Sequence, residues 1–245
     1  VIADILRRLG PRTVLDAPSG AGFLKQCLDP DAMVDGVDIY CPRPEGYRNF
    51  WKIDLDAGLP DGMPDYDCIV CCEAISYLGN PLSFLKSARR RLRPGGTLIV
   101  STPSIWYPNA RLQFLMRGFF PAFPWRLERN DRDGIFYIHP YSYPQLYLYL
   151  KLSGFTNIRL HPVDRGPKHL HEWILGFPQV IYSYAKFRRA ESEEERSFWK
   201  SAGSLGAVYG RRLVVTAEAA GAGEAIPDAG APAERLSVNR HIGVI

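Results

Sequence analysis

What most restricts the folds open to this chain is a repeated alternation over residues 12–104. Short apolar runs follow one another with stretches of helical period between them. Thr13–Asp16, Met33–Ile39, Asn49–Ile53, Tyr66–Cys72 and Thr97–Ser101 read as strands, and Gly22–Leu28 and Pro81–Leu92 as helices. Leu82, Leu85, Ala88 and Leu92 form one stripe of the second helix, and Arg93-Pro94-Gly95-Gly96 reads as the turn that stops it. Tyr66–Cys72 is apolar throughout, as expected of a strand covered on both faces. Strands alternating with helices imply crossover connections, a mostly parallel sheet, and helices on both faces. The expected class is α/β.

Beyond Pro103 the texture changes. Residues 105–140 carry Trp, Phe, Tyr, Arg and Pro with no clean period, as in a lid insertion over a site. Tyr143–Leu152 returns to a helical pattern. Asn157–Pro162 and Leu213–Glu218 read as two further strands, paired antiparallel because no simple crossover pattern joins them. A helical insertion over 166–205 precedes the last strand, and residues 219–245, rich in Ala, Gly and Pro, read as a disordered tail. One domain over residues 1–218 is the expectation, with 12–104 as its ligand-binding half.

Composition excludes several classes. With 46% hydrophobic and 23% charged residues the chain is neither disordered, fibrous nor a disulfide scaffold. The first residues carry no signal-peptide pattern and no apolar run reaches the ~18 residues of a membrane span. Five cysteines without zinc-type spacing suggest free thiols in a reducing cytoplasm and no metal. The net charge of +4 is too small and too mixed to suggest nucleic acid, and no signature of an enzyme that flips its target base is present.

The chemistry gathers where strands end. Val14-Leu15-Asp16-Ala17-Pro18-Ser19-Gly20-Ala21-Gly22 follows a strand and opens a helix. Gly20 and Gly22 permit close backbone approach to a ligand, and the helix start offers free N–H groups. Asp16 is acidic where a phosphate loop avoids charge, so it disfavours a dinucleotide pyrophosphate and favours a ligand carrying an amino group. Asp38, 22 residues on and followed by Ile39, can accept hydrogen bonds from ribose hydroxyls. Asp54-Leu55 follows the third strand, and Cys72-Glu73 closes the fourth.

Taken together, these segments resemble class I S-adenosylmethionine-dependent methyltransferases, in particular the bacterial type 11-like branch acting on small molecules, lipids and glycans. The resemblance rests on Leu15–Gly22, Val37-Asp38, Asp54-Leu55, Tyr66-Asp67, Glu73–Leu78 and Leu92–Gly96. It implies a seven-stranded Rossmann-like sheet whose last strand is antiparallel, with S-adenosyl-L-methionine as cofactor. It also implies a cofactor set of Asp16, Pro18, Gly20, Gly22, Asp38, Ile39, Asp54, Leu55, Cys72 and Glu73. Pro18 replaces the first loop glycine of the family, and Tyr77 stands where relatives often carry His. Tyr77 can hydrogen-bond but is a poor base at neutral pH.

Methyl transfer to oxygen calls for a general base. His139, between the lid and the next helix, is the first candidate, ahead of Asp131 and Asp133. Residues 105–215 hold 16 basic and 9 acidic residues and 22 of the 30 aromatics, whereas 1–104 hold 12 and 13 charges. That balance favours an anionic or amphipathic acceptor: a small molecule, a sugar or a lipid-linked glycan. A lipid or quinone-type acceptor and a cofactor-binding pseudoenzyme subunit are the alternatives. Trp173, Ile174, Phe177, Val180, Ile181, Tyr184 and Phe187 recur at near-helical spacing before Lys186, Arg188 and Arg189. Such a helix over 172–189 can lie at the inner face of a membrane. The same stripe can equally pack on the sheet edge or against a second copy.

Overall fold

The computed structural model describes residues 1–121, 141–163 and 169–220. Seven strands form one sheet in the order β3-β2-β1-β4-β5-β7-β6. They are β1 Thr13–Asp16, β2 Met33–Val37, β3 Phe50–Trp51, β4 Tyr66–Cys72, β5 Leu92–Pro103, β6 Phe155–His161 and β7 Arg212–Ala219. β1 to β5 run parallel, while β7 lies between β5 and β6 and is antiparallel to both. This is the expected doubly covered sheet with its inverted last strand. Its strand order reverses between β1 and β4, which opens a crevice beyond their carboxyl ends.

Alternate residues of the central strands serve two cores, as the period of two requires. Leu15, Ile69, Cys71, Leu98 and Val100 face one layer, and Val14, Cys68, Val70 and Ile99 the other. Over the first layer lie α2 (Pro81–Arg91), which buries Phe84, Leu85 and Ala88, and α4 (Tyr143–Leu152), which buries Leu146 and Leu150. Asn80 and Ser142 cap these helices by accepting from Ser83 N and Gln145 N, and a proline occupies the first turn of each. Over the second layer lies α1 (Ile2–Leu9), through Ile5 and Leu6.

Several elements depart from the sequence reading. The first crossover is a 3₁₀ turn at Phe23–Cys27, not a helix over Gly22–Leu28. Gly22 stands before it with φ +80°, and the stretch ends at Leu28, two residues before Pro30, too short for a stable α-helix. β2 ends at Val37, leaving Ile39 exposed, and β3 keeps only two residues. The Arg93–Gly96 turn is a bulge inside β5: Tyr66 pairs with Leu92 and Cys68 with Thr97, so four residues bow out opposite Asp67. Part of the expected irregular stretch is α3 (Pro108–Arg117), and β6 starts earlier, at Phe155. The insertion before β7 holds α5 (Leu170–Arg189), α6 (Glu193–Ala202) and α7 (Leu205–Tyr209). Pro178 sits inside α5 on its exposed side.

Candidate functional site

The carboxyl ends of β1 and β2 bring Asp16, Ser19, Gly20 and Asp38 together. Ala17 N donates to Val70 O and Ser19 N to Val37 O, both at 2.9 Å, so the loop after β1 is stitched to the strands on either side. Gly20 takes a left-handed conformation (φ +49°), and a Cβ placed there would meet nothing within 4 Å. The space above this residue is open. Gly22 differs: a Cβ would fall 2.4 Å from Pro44 Cβ and 3.3 Å from the Tyr47 ring. Its missing side chain admits the protein's own segment.

Asp38 is buried and accepts three backbone N–H bonds, from Gly20 N at 2.9 Å and from Tyr40 N and Cys41 N at 2.8 Å each. This carboxylate fixes the turn after β2 and ties it to the glycine loop. Asp16 is buried beside it, and the Tyr47 hydroxyl donates to its Oδ2 at 2.5 Å. Burial pushes the Asp16 carboxyl up to about 7; the Tyr47 bond pulls it down, and the Asp38 charge pushes it up further. Tyr47 is itself buried, and burial together with the Asp16 charge raises its phenol. Its carbonyl is gripped by the Arg43 guanidinium. Ser19 Oγ in this loop and Ser76 Oγ just past β4 are buried without a hydrogen-bond partner among the described residues.

The remaining expected positions divide. Pro18 follows Ala17 through a cis peptide bond in the glycine loop. Glu73 closes β4 in a left-handed conformation (φ 53°), its N–H shared by Ser101 O and Ser101 Oγ. A positive φ at a residue with a side chain is a strained arrangement, of the kind that collects at functional sites. Cys72 precedes it, with its thiol pushed up to about 12 by burial and then by the Asp16 and Glu73 charges. Burial thus keeps this thiol protonated, and a poor nucleophile, at neutral pH. Tyr77 ends a 3₁₀ turn over Ile75–Tyr77 at the same edge. Asp54 is exposed and caps the 3₁₀ turn at Leu55–Ala57, accepting from Asp56 N at 3.0 Å, while Leu55 is buried in the core. His139, Asp131 and Asp133 lie outside the described residues.

Sequence reasoning missed Tyr47. It lies in the Pro- and Gly-containing connection between β2 and β3, where no periodicity marks a buried residue. The only available signal was an aromatic in a connection with no helical pattern to cover the strand ends. Asp67, matched to the family by sequence, works at the opposite, amino end of the sheet. It accepts from Arg12 N, Thr13 N and Thr13 Oγ1 and pairs with Arg93.

An acidic pair, a left-handed glycine under open space, and orphaned hydroxyls suit a ligand with an ammonium group and several hydroxyls. In comparisons with known proteins, a family model described as a methyltransferase domain matches residues 1–160. A ubiquinone biosynthesis O-methyltransferase of Nitrosomonas europaea is 25% identical over 112 residues, which cover 41% of this chain and 48% of that protein. One of the same description from Dechloromonas aromatica is 28% identical over 107 residues, 38% of this chain and 45% of that protein. The chain therefore spans less than half the length of these curated relatives. The solved structure of human N-acetylserotonin methyltransferase with SAM superposes with a TM-score of 0.50 at 11% identity, covering 89% of this chain and 50% of that one.

Proposed function

We propose, from the premise that this chain belongs to the methyltransferase-domain family, that it transfers a methyl group from S-adenosylmethionine to an oxygen of a small-molecule acceptor. The observation that carries this reading is the buried Asp16 carboxylate beside open space at Gly20. When bound, the cofactor supplies a methyl group already activated on a sulfonium. The protein's task is then proximity and orientation rather than activation.

In this reading Asp16 Oδ2 holds the ligand's ammonium in place of the Tyr47 hydroxyl, and Ser19 Oγ finds in the ligand the partner it lacks in the free chain. Asp38 keeps its three backbone donors and has lone-pair capacity left for ribose hydroxyls. Glu73 and Cys72 line the β4 side, with the protonated thiol acting as apolar wall. Asp54, engaged by its own turn, reaches the adenine amine only through an exposed rim. An oxygen acceptor must lose its proton, and His139 is the base we assign. It stands two positions before Tyr141, whose backbone bridges to Ser104 and accepts from Ile105 N at 3.1 Å beside the carboxyl end of β5.

For the acceptor, the basic and aromatic second half supports an anionic or amphipathic molecule, with a sugar or lipid-linked glycan first. A quinone-type phenol is the second reading, favoured by the description of the two curated relatives. The test has two stages. Titration calorimetry with S-adenosylhomocysteine is expected to show one site that Asp16→Asn weakens at pH 8. Transfer of labelled methyl is then followed to phosphorylated sugars, lipid-linked glycans and dihydroxyphenols, with the wild type and His139→Ala. No binding of S-adenosylhomocysteine sinks the enzyme reading; turnover unaffected by His139→Ala sinks the base.

A further inference from the structure

Helix α5 is built inside out. The residues it turns toward the protein are polar or small, and those it turns to solvent are apolar. Glu172, Gly176 and Ser183 are its buried positions. Glu172 accepts from Asn109 Nδ2 at 2.8 Å; Gly176 lies so close to the Tyr209 ring that a Cβ would fall 2.2 Å from it; at Gly203 a Cβ would fall 2.9 Å from that of Ser183. Gln179, partly buried, reaches Ala202 O. The opposite face carries Ile174 at 65% exposure, Phe177 at 59% and Ile181 at 52%, with Trp173 and Tyr184 alongside. α3, which packs on α5, adds Leu115 at 80% and Met116 at 75%. A soluble surface scatters such residues singly; a row of them along one face of a helix marks an interaction face.

The charges around this face choose its partner. α3 and α5 together carry five basic residues, Arg111, Arg117, Lys186, Arg188 and Arg189, against one acid, Glu172, which is buried. Arg117, Lys186, Arg188 and Arg189 are exposed and form no ion pair among the described residues. Of the acidic run that opens α6, Glu193 is exposed at the α5–α6 groove and pairs with Arg196, while Glu194 turns away. Glu194 is held by Lys151 Nζ at 2.6 Å and the Tyr147 hydroxyl at 2.9 Å, on the α4 side, and Glu195 by Trp199 Nε1. Between α5 and α6 a groove of about 640 Å³ is lined by Val180, Tyr184, Phe187 and Trp199 together with Arg196, Lys200 and one acid, Glu193. No helix among the described residues is long and apolar enough to cross a membrane, so the face suits lying on a bilayer, not spanning it.

We propose that the outward face of α3 and α5 is a docking surface for an anionic lipid bilayer, with Ile174, Phe177 and Ile181 entering the acyl boundary and Arg117, Arg188 and Arg189 meeting the headgroups. α3 begins just past the carboxyl end of β5, so the bilayer would adjoin the edge of the sheet at which the candidate site opens. The proposal does not rest on methyl transfer and is tested without cofactor.

The full chain is floated on density gradients with vesicles of phosphatidylcholine alone and with a rising share of phosphatidylglycerol. Binding is expected to rise with the anionic share and to fall with salt. Ile174→Glu with Ile181→Glu is expected to lower the partition coefficient about a hundredfold. Arg188→Glu with Arg189→Glu is expected to lower it by about fivefold or more per charge. Leu9→Glu, an exposed apolar position on α1, should leave it unchanged. Circular dichroism and the thermal midpoint check that each variant folds. Flotation by the Ile174/Ile181 variant equal to wild type overturns the proposal. So does a lipid-free dimer, seen by sedimentation, that this variant converts to monomer, because the face then belongs to a second copy.

Discussion

Asp16→Asn examined across pH tests the site reading at its centre. In the free chain the Asp16 carboxyl is raised from 3.8 to about 7, chiefly by burial. That interval corresponds to about 4 kcal/mol against the ionised form in the folded chain. A ligand ammonium needs the carboxylate, so below pH 7 binding must first expel a proton. Affinity for S-adenosylhomocysteine, which carries the amino group but has no methyl to give, should weaken about tenfold from pH 8 to pH 6 and continue at about tenfold per further unit. The binding optimum should therefore lie above about 7 and below the pH at which the ligand's own amino group loses its charge. Calorimetry at pH 6 in two buffers of different ionisation enthalpy should register about one proton released per ligand bound.

Asp16→Asn should bind more weakly at pH 8 and lose the acid limb altogether. The linked stability effect has a definite sign. Between pH 3.8 and about 7 the folded chain holds a proton that the unfolded chain has released, so this group's contribution to stability is present at low pH and is lost as pH rises through 7. Asp16→Asn should thus melt higher than wild type at pH 8 while binding less. Equal slopes of affinity against pH in wild type and Asp16→Asn would refute the reasoning.

Three further outcomes follow from the same geometry. Tyr47→Phe removes the 2.5 Å bond that competes for Asp16, so calorimetry at pH 8 should show affinity rising about tenfold. Gly22→Ala places a Cβ 2.4 Å from Pro44 Cβ at φ +80° and should cost about 1–3 kcal/mol in urea unfolding, whereas Gly20→Ala, with open space above it, should cost about 1 kcal/mol and act mainly on ligand affinity. Arg48→Met removes the cation from Asp35, fully buried and bonded by Arg48 Nε at 3.0 Å and Nη2 at 2.6 Å, while Asn49 N, Asn49 Nδ2 and the Tyr66 hydroxyl still donate to it. A loss of about 1.5–3 kcal/mol is expected near neutrality. Because these bonds hold Asp35 below 3.8, its contribution is present above 3.8 and fades as pH falls through that lower value, so wild type and variant should converge in acid.

The sheet was legible because its strands obey a period of two or are apolar throughout, and because each ends on residues with little choice of backbone. Asp16, Asp38 and Glu73 could be placed at strand ends from spacing alone. Less was legible where a residue's role depends on what folds over it. Nothing in the composition of residues 39–49 distinguishes Tyr47, buried on Asp16, from Tyr40, 85% exposed seven residues earlier. Asp54 looked equivalent to Asp38 in sequence, yet its neighbours offer it a turn N–H where Asp38 is given three converging donors. α5 deceived in the opposite sense. Its apolar stripe was visible, but the side that faces inward depended on Gly176 and Ser183, which carry no hydrophobic signal and win the interior because Tyr209 and Gly203 need room.

The short crossovers on either side of β2 have an energetic consequence. β2 and β3 are joined to the sheet without an overlying α-helix, and β3 contributes only the Gly36–Phe50 and Val37–Trp51 pairs. Polar ties hold this edge: Asp35 with Arg48 and Asn49, and Asp38 with the turn beyond it. Such an edge opens at lower free energy than the β4–β5 centre, and its amides should exchange with solvent through local excursions long before the whole chain unfolds. A ligand seated across the ends of β1 and β2 would serve as the cover that a crossover helix provides elsewhere. Part of its binding free energy would then be spent on closing that edge, and amide protection there would rise with ligand concentration while the far side of the sheet exchanged as before.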